Sequence, residues 1–392
     1  MKKIFLKPKK EAAVMRFHPW VFSGAVARIE GSPADGDTVA VCNQSGQHLA
    51  TGHYQDGNIC VRIFTFEPVW PDQSFWTGRI QNAADYRLAI GLPRPDETNC
   101  FRLVHAEGDG LPGLIIDWYA GVAVVQCHSI GMHLIRDSLV QALQQVFGDA
   151  LTAVYDKSRE TLPKTYAQGV QNGYLWGAQD QSQVLENGYR FHVDWAAGQK
   201  TGFFLDQREN RKLVGGLAAG KKVLNAFCYT GGFSIYALGA GAKSVDSVDV
   251  SAKAMEWTGR NVALNGFDPG RHRSITADVI PWLGSNNDRY DLMIVDPPAF
   301  AKNIAKRHSA VQGYKRLNAL ALKSIMPGGI MLTFSCSQVI DRPLFNHTIV
   351  AAALEAGRKI RVMQELGQPA DHPVNLFHPE GAYLKGLMLE VE

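Results

Sequence analysis

The sequence lacks the features that would place it in several common classes of protein. No apolar run is long enough to span a bilayer, and the lysine-rich N-terminus has no apolar centre like that of a signal peptide. The six cysteines, at positions 42, 60, 100, 127, 228 and 336, form no Cys-x-x-Cys pair, so neither a zinc site nor a disulfide framework is indicated. We therefore predict a cytoplasmic protein with no metal site and no membrane partner.

Two common nucleotide-binding motifs are also missing. There is no Gly-x-Gly-x-x-Gly, the spacing that lets a backbone approach a dinucleotide pyrophosphate, so an NAD-dependent oxidoreductase is disfavoured. Residues 198–202 resemble a P-loop only superficially, because Gln199 precedes Lys200 where a glycine belongs and no glycine-rich run comes before it.

There is little net charge, but the positive charges are clustered. The formal net charge of the 392 residues is +3, which does not by itself indicate a nucleic-acid partner. Five lysines fall within the first ten residues, and a second basic segment covers residues 302–316. Either cluster is as compatible with a solvated surface as with phosphate contact.

The chain is long enough for two or three domains. Residues 1–72 have short apolar strands separated by turn residues, which predicts a small β-rich domain. In its segment 18–25, Trp20 and Phe22 are predicted to be core residues rather than base-stacking rings. Residues 73–185 predict an α+β middle domain that forms an RNA groove, and residues 186–392 alternate strands with helices as in a parallel sheet.

The stretch 222–234 is central to this last domain. It predicts a buried strand, a glycine-containing turn and the start of a helix, so backbone N–H groups and a helix N-terminus point at one spot. Phe227, Tyr229, Thr230 and Gly231 are the candidate ligand contacts there. With only two adjacent glycines, the turn suits a cofactor without a pyrophosphate, held by an amino-acid end and a nucleoside.

Three aspartates follow later strands. Asp249 lies about twenty residues beyond the turn, where an acid commonly accepts ribose hydroxyls, and Asp278 could accept from an adenine amine. Asp296 ends a third strand in Asp-Pro-Pro and is a candidate for both cofactor and base contact. Each piece alone is weak evidence, but the ordered set resembles the class I methyltransferases that use S-adenosylmethionine (SAM).

A wider set of motifs resembles the PUA-containing bacterial 23S rRNA (cytosine-5-)-methyltransferases over essentially the whole chain. These are HPWVFSGA at 18–25, GDGLPG at 108–113, KTGFFLDQR at 200–208, YTGGF at 229–233, DPP at 296–298, TFSCS at 333–337, ADHP at 370–373 and PEG at 379–381.

The resemblance implies a multidomain α/β fold with an N-terminal PUA-like barrel, an α+β middle domain and a C-terminal Rossmann-like SAM methyltransferase domain. It implies methylation of a cytosine in large-subunit rRNA and places Gln207 and Arg208 among the cofactor-binding residues. DNA is not expected as a partner, and a homodimer stays open.

Cys336 and Asp296 suit this chemistry. Cytosine C5 becomes nucleophilic once a thiolate adds at C6, and Cys336 follows a predicted strand at the edge where doubly wound folds place ligands. Asp296 could hydrogen-bond the base near N3 and its exocyclic amine. Cys228 is the competing cysteine, but its position in the cofactor turn favours packing beside SAM.

Two alternatives stay open. Asp-Pro-Pro followed by an aromatic, here Phe300, also occurs in methylation of exocyclic amines, so an amine- or guanine-directed RNA methyltransferase is possible. A non-catalytic RNA-binding assembly factor that retains SAM binding is the alternative from another class.

Overall fold

The computed structural model describes residues 2–179, 182–301 and 303–392. These residues form two compact units, each assembled from three chain segments. The first unit consists of Met1–Leu185, Val193–Leu205 and Ala370–Gly381, and the second of Glu186–His192, Asp206–Pro369 and Ala382–Glu392.

The first unit begins with a six-stranded sheet. Its elements are β1 (Lys3–Leu6), α1 (Ala12–Met15), β2 (Trp20–Phe22), β3 (Val26–Glu30), β4 (Thr38–Cys42), β5 (His48–Tyr54) and β6 (Ile59–Thr65), with strand order β2-β6-β5-β4-β1-β3. Alternate residues such as Val39, Val41 and Val61 fill its core, as expected where one face of a strand is buried.

The prediction that Trp20 and Phe22 are core residues is wrong for Phe22. The Phe22 ring is 40% exposed, while Trp20 is half-buried and donates from Nε1 to Glu107 at 2.8 Å. Successive side chains of a strand point to opposite faces, and in β2 only Val21 is buried. Aromatic character alone therefore does not determine burial.

A second sheet with helices completes most of this unit. Its elements are α2 (Gln73–Ala89), β7 (Cys100–His105), β8 (Leu114–Tyr119), β9 (Val122–Cys127), α3 (Ile130–Leu134), α4 (Arg136–Phe147), β10 (Ala153–Asp156), α5 (Lys164–Ala167) and β11 (Gly173–Gly177), with strand order β11-β10-β9-β8-β7. Asp72 caps α2 by accepting from the Phe75 N–H at 2.9 Å.

One helix predicted from the sequence is divided in the structure. The apolar pattern over residues 132–146 predicts a single helix, but α3 ends at Leu134 and α4 begins at Arg136. Ile135 lies between them with φ −95° and ψ 13°, outside helical geometry. The apolar periodicity of the sequence continues across Ile135 because α3 and α4 both bury apolar residues, so periodicity alone does not reveal the break.

The next two strands lie where the chain first passes from the first unit into the second, and the elements after them belong to the second unit. The strands are β12 (Ser182–Glu186) and β13 (Tyr189–Val193). The remaining elements are α6 (Arg208–Leu217), β14 (Lys222–Ala226), α7 (Gly232–Gly239), β15 (Ser244–Asp249), α8 (Ala252–Leu264), β16 (His272–Thr276), α9 (Val279–Ser285), β17 (Tyr290–Val295), α10 (Arg307–Ser324), β18 (Ile325–Ser335), α11 (Arg342–Ala356), β19 (Ile360–Leu366) and β20 (Lys385–Val391).

The seven-stranded sheet of the second unit has the order β16-β15-β14-β17-β18-β20-β19. Strands β14 to β18 run parallel, and β20 is antiparallel to both of its neighbours. Within the sheet, β15 and β16 lie on one side of β14, and the chain then crosses to β17 on the other side of β14. In open α/β sheets, the carboxyl edge at such a switch point is where ligands bind.

The predicted end of α10 is correct only in part. In the sequence, Pro-Gly-Gly at 327–329 predicts the end of a helix that runs from about residue 310 to 325. The helix instead ends at Ser324, and these three residues lie within β18, which pairs along β17 and β20. The pairing with β17 shifts register between Tyr290 and Leu292, so an irregularity accommodates the proline and glycines inside the strand.

No helix among the described residues is long and apolar enough to cross a membrane. The segments expected to form separate N-terminal and middle domains both belong to the first unit. The division into domains at 1–72, 73–185 and 186–392 stays a prediction.

Candidate functional site

The turn after β14 adopts an uncommon backbone conformation. Phe227, Tyr229 and Gly231 have φ values of 60°, 48° and 80°, all in the left-handed region. A Cβ on Gly231 would meet Thr258 Cγ2 at 2.6 Å, so glycine is required there by both conformation and space. Left-handed non-glycine residues cost free energy and concentrate at ligand sites, which makes this turn a binding candidate.

Two side chains of helix α8 hold the turn by hydrogen bonds. Thr258 donates to the Tyr229 carbonyl at 3.0 Å, and Asn261 donates to the Thr230 carbonyl at 3.0 Å. Both side chains are fully buried. The turn is therefore held in one shape by polar residues that the sequence pattern did not identify.

Asp249, at the end of β15, is oriented by the same turn. One carboxylate oxygen accepts from the Tyr229 N–H at 3.0 Å and the other accepts from the Ser251 N–H at 2.9 Å. A carboxylate has about four lone-pair sites, so each oxygen retains acceptor capacity. The half-buried side chain can thus accept a pair of hydroxyls.

Asp278 has a structural contact of its own. It follows β16 and caps α9, accepting from the Ile280 N–H at 3.2 Å through one oxygen. Its side chain is exposed at the same carboxyl edge as Asp249, since β15 and β16 are parallel neighbours.

Asp296 follows β17 and is held by Gln207, the residue that precedes α6. Gln207 donates to its Oδ2 at 3.0 Å, and Gln207 in turn accepts from Asn210 at 2.6 Å. Arg208 is buried and donates to Glu209 at 3.2 Å. The structure thus brings Gln207 to Asp296, and Arg208 contacts Glu209, its neighbour in the chain.

Cys336 directly follows β18, which pairs with β17, the strand that precedes Asp296. Val295 pairs with Thr333, so both strands reach the same edge of the sheet. Cys336 is half-buried, whereas the other five cysteines, all within the described residues, are buried. Burial, with a smaller contribution from Asp249, raises the pKa of the Cys228 thiol well above its ordinary value.

Tyr314 of α10 lies near Cys336 and Asp296. Its fully buried side chain lies close enough to Cys336 and Asp296 for both to act on its hydroxyl. Burial is the main reason that the pKa of Tyr314 is raised to about 12, so the hydroxyl stays protonated and able to donate at neutral pH. The sequence offered no signal for this residue beyond its place on an amphipathic helix.

Comparison with known proteins identifies the family. The sequence profile of the S-adenosylmethionine-dependent methyltransferases matches residues 101–387. The chain belongs to this family. Residues 4–66 match the PUA-like domain, so the expected fold of a PUA-like N-terminus and a methyltransferase sheet is confirmed.

Full-length relatives carry a more specific name. The large subunit ribosomal RNA methyltransferase I of Aeromonas hydrophila is 39% identical over 394 residues and that of Shewanella amazonensis 41% over 396. The alignments cover 98% of both chains in the first case and 99% of both in the second. A proposed SAM-dependent methyltransferase from Streptococcus mutans has a similar fold, with a TM-score of 0.85, 24% identity and complete coverage of both chains.

SAM is therefore the cofactor of this methyltransferase, and the residues at the carboxyl edge suit it. Phe227, Tyr229 and Gly231 give the turn its left-handed conformation, and the carboxylate of Asp249, oriented by two backbone N–H groups, is of the kind that accepts ribose hydroxyls in such folds. Within the second unit the structure brings Phe227, Tyr229, Thr230, Gly231 and Asp249 together, and their contact with the cofactor stays a prediction.

Proposed function

We propose that this methyltransferase forms 5-methylcytosine in large-subunit rRNA through a covalent bond between Cys336 and cytosine C6. The names of its full-length relatives support the rRNA substrate. The observation that carries the chemistry is that Cys336 is the cysteine with partial exposure, and that it lies at the carboxyl edge beside Asp296.

The proposed reaction begins with addition of the Cys336 thiolate to C6, which moves the electron pair of the C5–C6 double bond towards C5. The cofactor supplies an electrophilic methyl group, and C5 takes this methyl as the carbon–sulfur bond breaks to leave S-adenosylhomocysteine. A base then removes the C5 proton, the C5–C6 double bond re-forms and the thiolate of Cys336 departs. Asp296 accepts from the exocyclic amine through one carboxyl oxygen and, in its protonated form, donates to N3 through the other while charge develops there.

The environment of the two candidate cysteines supports Cys336 over Cys228. The thiolate is the reacting species. Burial that raises the pKa of a thiol lowers the fraction of thiolate at neutral pH. Cys228 has such an environment, with 6% of its surface exposed. We infer that Cys228 packs within the cofactor turn.

The packing of Phe300 weighs against methylation of an exocyclic amine. In that alternative the aromatic ring after Asp-Pro-Pro would be presented to the target base. Here the Phe300 ring packs against Tyr314, with centroids 4.6 Å apart, and is part of the core contacts of the second unit. A ring already packed in this way is less suited to base stacking.

We further propose that residues 1–72 and the basic segment 302–316 supply RNA affinity in a cytoplasmic setting. Lys7, Lys9 and Lys10 are exposed, as phosphate contact requires. The second segment is partly neutralised, because Lys315 pairs with Glu355 at 2.9 Å. Lys302 lies outside the described residues.

The chemistry is tested with Cys336→Ala and a matched Cys228→Ala variant. Large-subunit rRNA from cells lacking the protein is treated with each enzyme and SAM, digested, and analysed by nucleoside mass spectrometry. We expect no 5-methylcytosine from Cys336→Ala and measurable product from Cys228→Ala. SAM binding by calorimetry checks that each variant retains its fold.

A trapping experiment tests the covalent step directly. RNA transcribed with 5-fluorocytidine should form a stable complex with the wild-type enzyme, because fluorine at C5 cannot leave as a proton and elimination is blocked. Full methylation by Cys336→Ala, or trapping that depends on Cys228, would move the proposal to the amine-methylating alternative. Normal SAM and RNA binding without any methyl transfer by the wild-type protein would favour the assembly factor.

A further inference from the structure

Lys385, the first residue of β20, is a buried cation within the second unit. Only 6% of its surface is exposed, whereas lysines are almost never fully buried unless they are paired. Its Nζ donates to the Ser337 carbonyl at 2.9 Å and to the Tyr383 carbonyl at 2.7 Å. Carbonyl dipoles solvate an ammonium group, but they supply no full negative charge to balance it.

Lys385 contacts the residues on either side of Cys336 in the chain. Lys385 lies opposite Ser335 in the antiparallel pairing of β18 and β20, and its ammonium binds the carbonyl of Ser337. Ser337 is fixed further, because its hydroxyl donates to the Ala301 carbonyl at 2.7 Å. The residues immediately before and after Cys336 are therefore both tied to the same lysine.

We propose that Lys385 is a positioning residue that holds the turn at 335–337 and favours the thiolate form of Cys336. The proposal rests on the proposed function, in which that thiolate is the nucleophile. A nearby cation favours a negatively charged sulfur, and a buried cation gains from that charge in return. This role would account for the buried ammonium group of Lys385 at the start of β20, a strand that is otherwise mostly apolar.

The electrostatics of Lys385 agree with this geometry. Burial lowers the pKa of Lys385, and the thiolate form of Cys336 is the largest influence that would oppose it. At the start of α11, Arg342 lowers the pKa of Lys385 further and Asp341 raises it by a smaller amount. On the neighbouring elements, burial raises the pKa of Tyr314 to about 12, so its hydroxyl stays protonated, and a carboxylate at Asp296 after β17 would work against the thiolate.

The experiment measures the ionisation of Cys336 directly. Iodoacetamide alkylation of Cys336 is followed by peptide mass spectrometry from acidic to alkaline pH, on full-length protein without SAM or RNA. The other cysteines are buried, so Cys336 should react first. The variants are Lys385→Met, which removes the charge, Lys385→Arg, which keeps it, and Lys323→Met as an exposed control on α10.

We expect the wild-type midpoint to lie below about 8.5, the value of an ordinary cysteine thiol. Lys385→Met should raise the midpoint by about one pH unit, which lowers alkylation at pH 7 roughly tenfold. Lys385→Arg and Lys323→Met should keep midpoints close to that of the wild type. A role in holding the turn alone would change the limiting rate at high pH and leave the midpoint in place.

The outcomes separate this proposal from the proposed function. An unchanged midpoint in folded Lys385→Met overturns the role of the lysine, even if Cys336→Ala is inactive. A shifted midpoint together with full methylation by Cys336→Ala upholds the coupling of lysine and thiol but overturns Cys336 as the nucleophile. If Lys385→Met does not fold, the wild-type curve decides, and a midpoint at or above about 8.5 overturns the proposal.

Discussion

Replacing Asp249 by alanine should weaken SAM binding without unfolding the protein. The carboxylate is already oriented by the backbone N–H groups of Tyr229 and Ser251, at 3.0 and 2.9 Å. Its remaining lone pairs are the acceptors that we assign to the ribose hydroxyls of SAM. The substitution removes these acceptors and the charge, and it also releases the Tyr229 end of the turn.

The expected magnitude follows from the type of bond. A hydrogen bond to a charged group contributes about 1.5–3 kcal/mol, and about 1.4 kcal/mol corresponds to a tenfold change in Kd. Loss of one ribose contact should therefore raise Kd for SAM roughly 10- to 150-fold. The second contact shares the same carboxylate, so the two losses are not simply additive.

Isothermal titration calorimetry with SAM measures this change. Asp268→Ala is a matched control, because Asp268 is an exposed aspartate of the same unit that also accepts a backbone N–H, from Gly270 at 2.8 Å. Asp249→Asn adds a finer comparison, since asparagine keeps one acceptor oxygen but loses the charge. A folded Asp249→Ala protein whose Kd lies within about twofold of the wild type would refute the assignment.

Two further predictions concern RNA binding and stability. Replacing Lys7, Lys9 and Lys10 by glutamine should make the log–log salt dependence of RNA binding shallower by about 2, at roughly 0.7 per contact on single strands; filter binding at several salt concentrations measures it, and an unchanged slope contradicts the proposed contacts. Burial lowers the pKa of His53 from 6.5 to about 4. Its contribution to stability is therefore complete above pH 6.5 and is lost as the pH falls towards 4, a loss of about 2 kcal/mol between pH 7 and 5. Urea unfolding of His53→Phe should show a smaller loss over that interval, and an equal loss would contradict the role of His53.

Several features of the second unit were predictable because they depend on short segments. The strands β14, β15 and β17 are each five or six residues long and continuous in sequence. Asp249 and Asp296 could be placed at the carboxyl edge because each comes directly after its strand. Parallel strands joined by helices bring those ends to one edge by geometry alone.

Other features required the folded chain because they depend on distant partners. Pro327 looks like a helix terminator in isolation, yet it lies within β18, in an irregular stretch between the residues Ile325 and Ile330 that pair with β17. Phe22 looks like a core aromatic, but its exposure depends on what the rest of the first unit covers. Local propensity decides neither case, since tertiary contacts readily outweigh it.

By itself, the sequence determined the family, the alternation of strands and helices, and the identity of the candidate site residues, because motifs and periodicity are local properties of the chain. The tertiary structure decided which cysteine is accessible, which residues orient Asp249 and Asp296, and where Lys385 lies. Lys385 and Ser337 are 48 residues apart in sequence and 2.9 Å apart in space. Burial and the pairing of strands are set by such distant contacts, so only the assembled sheet places this ammonium group beside Cys336.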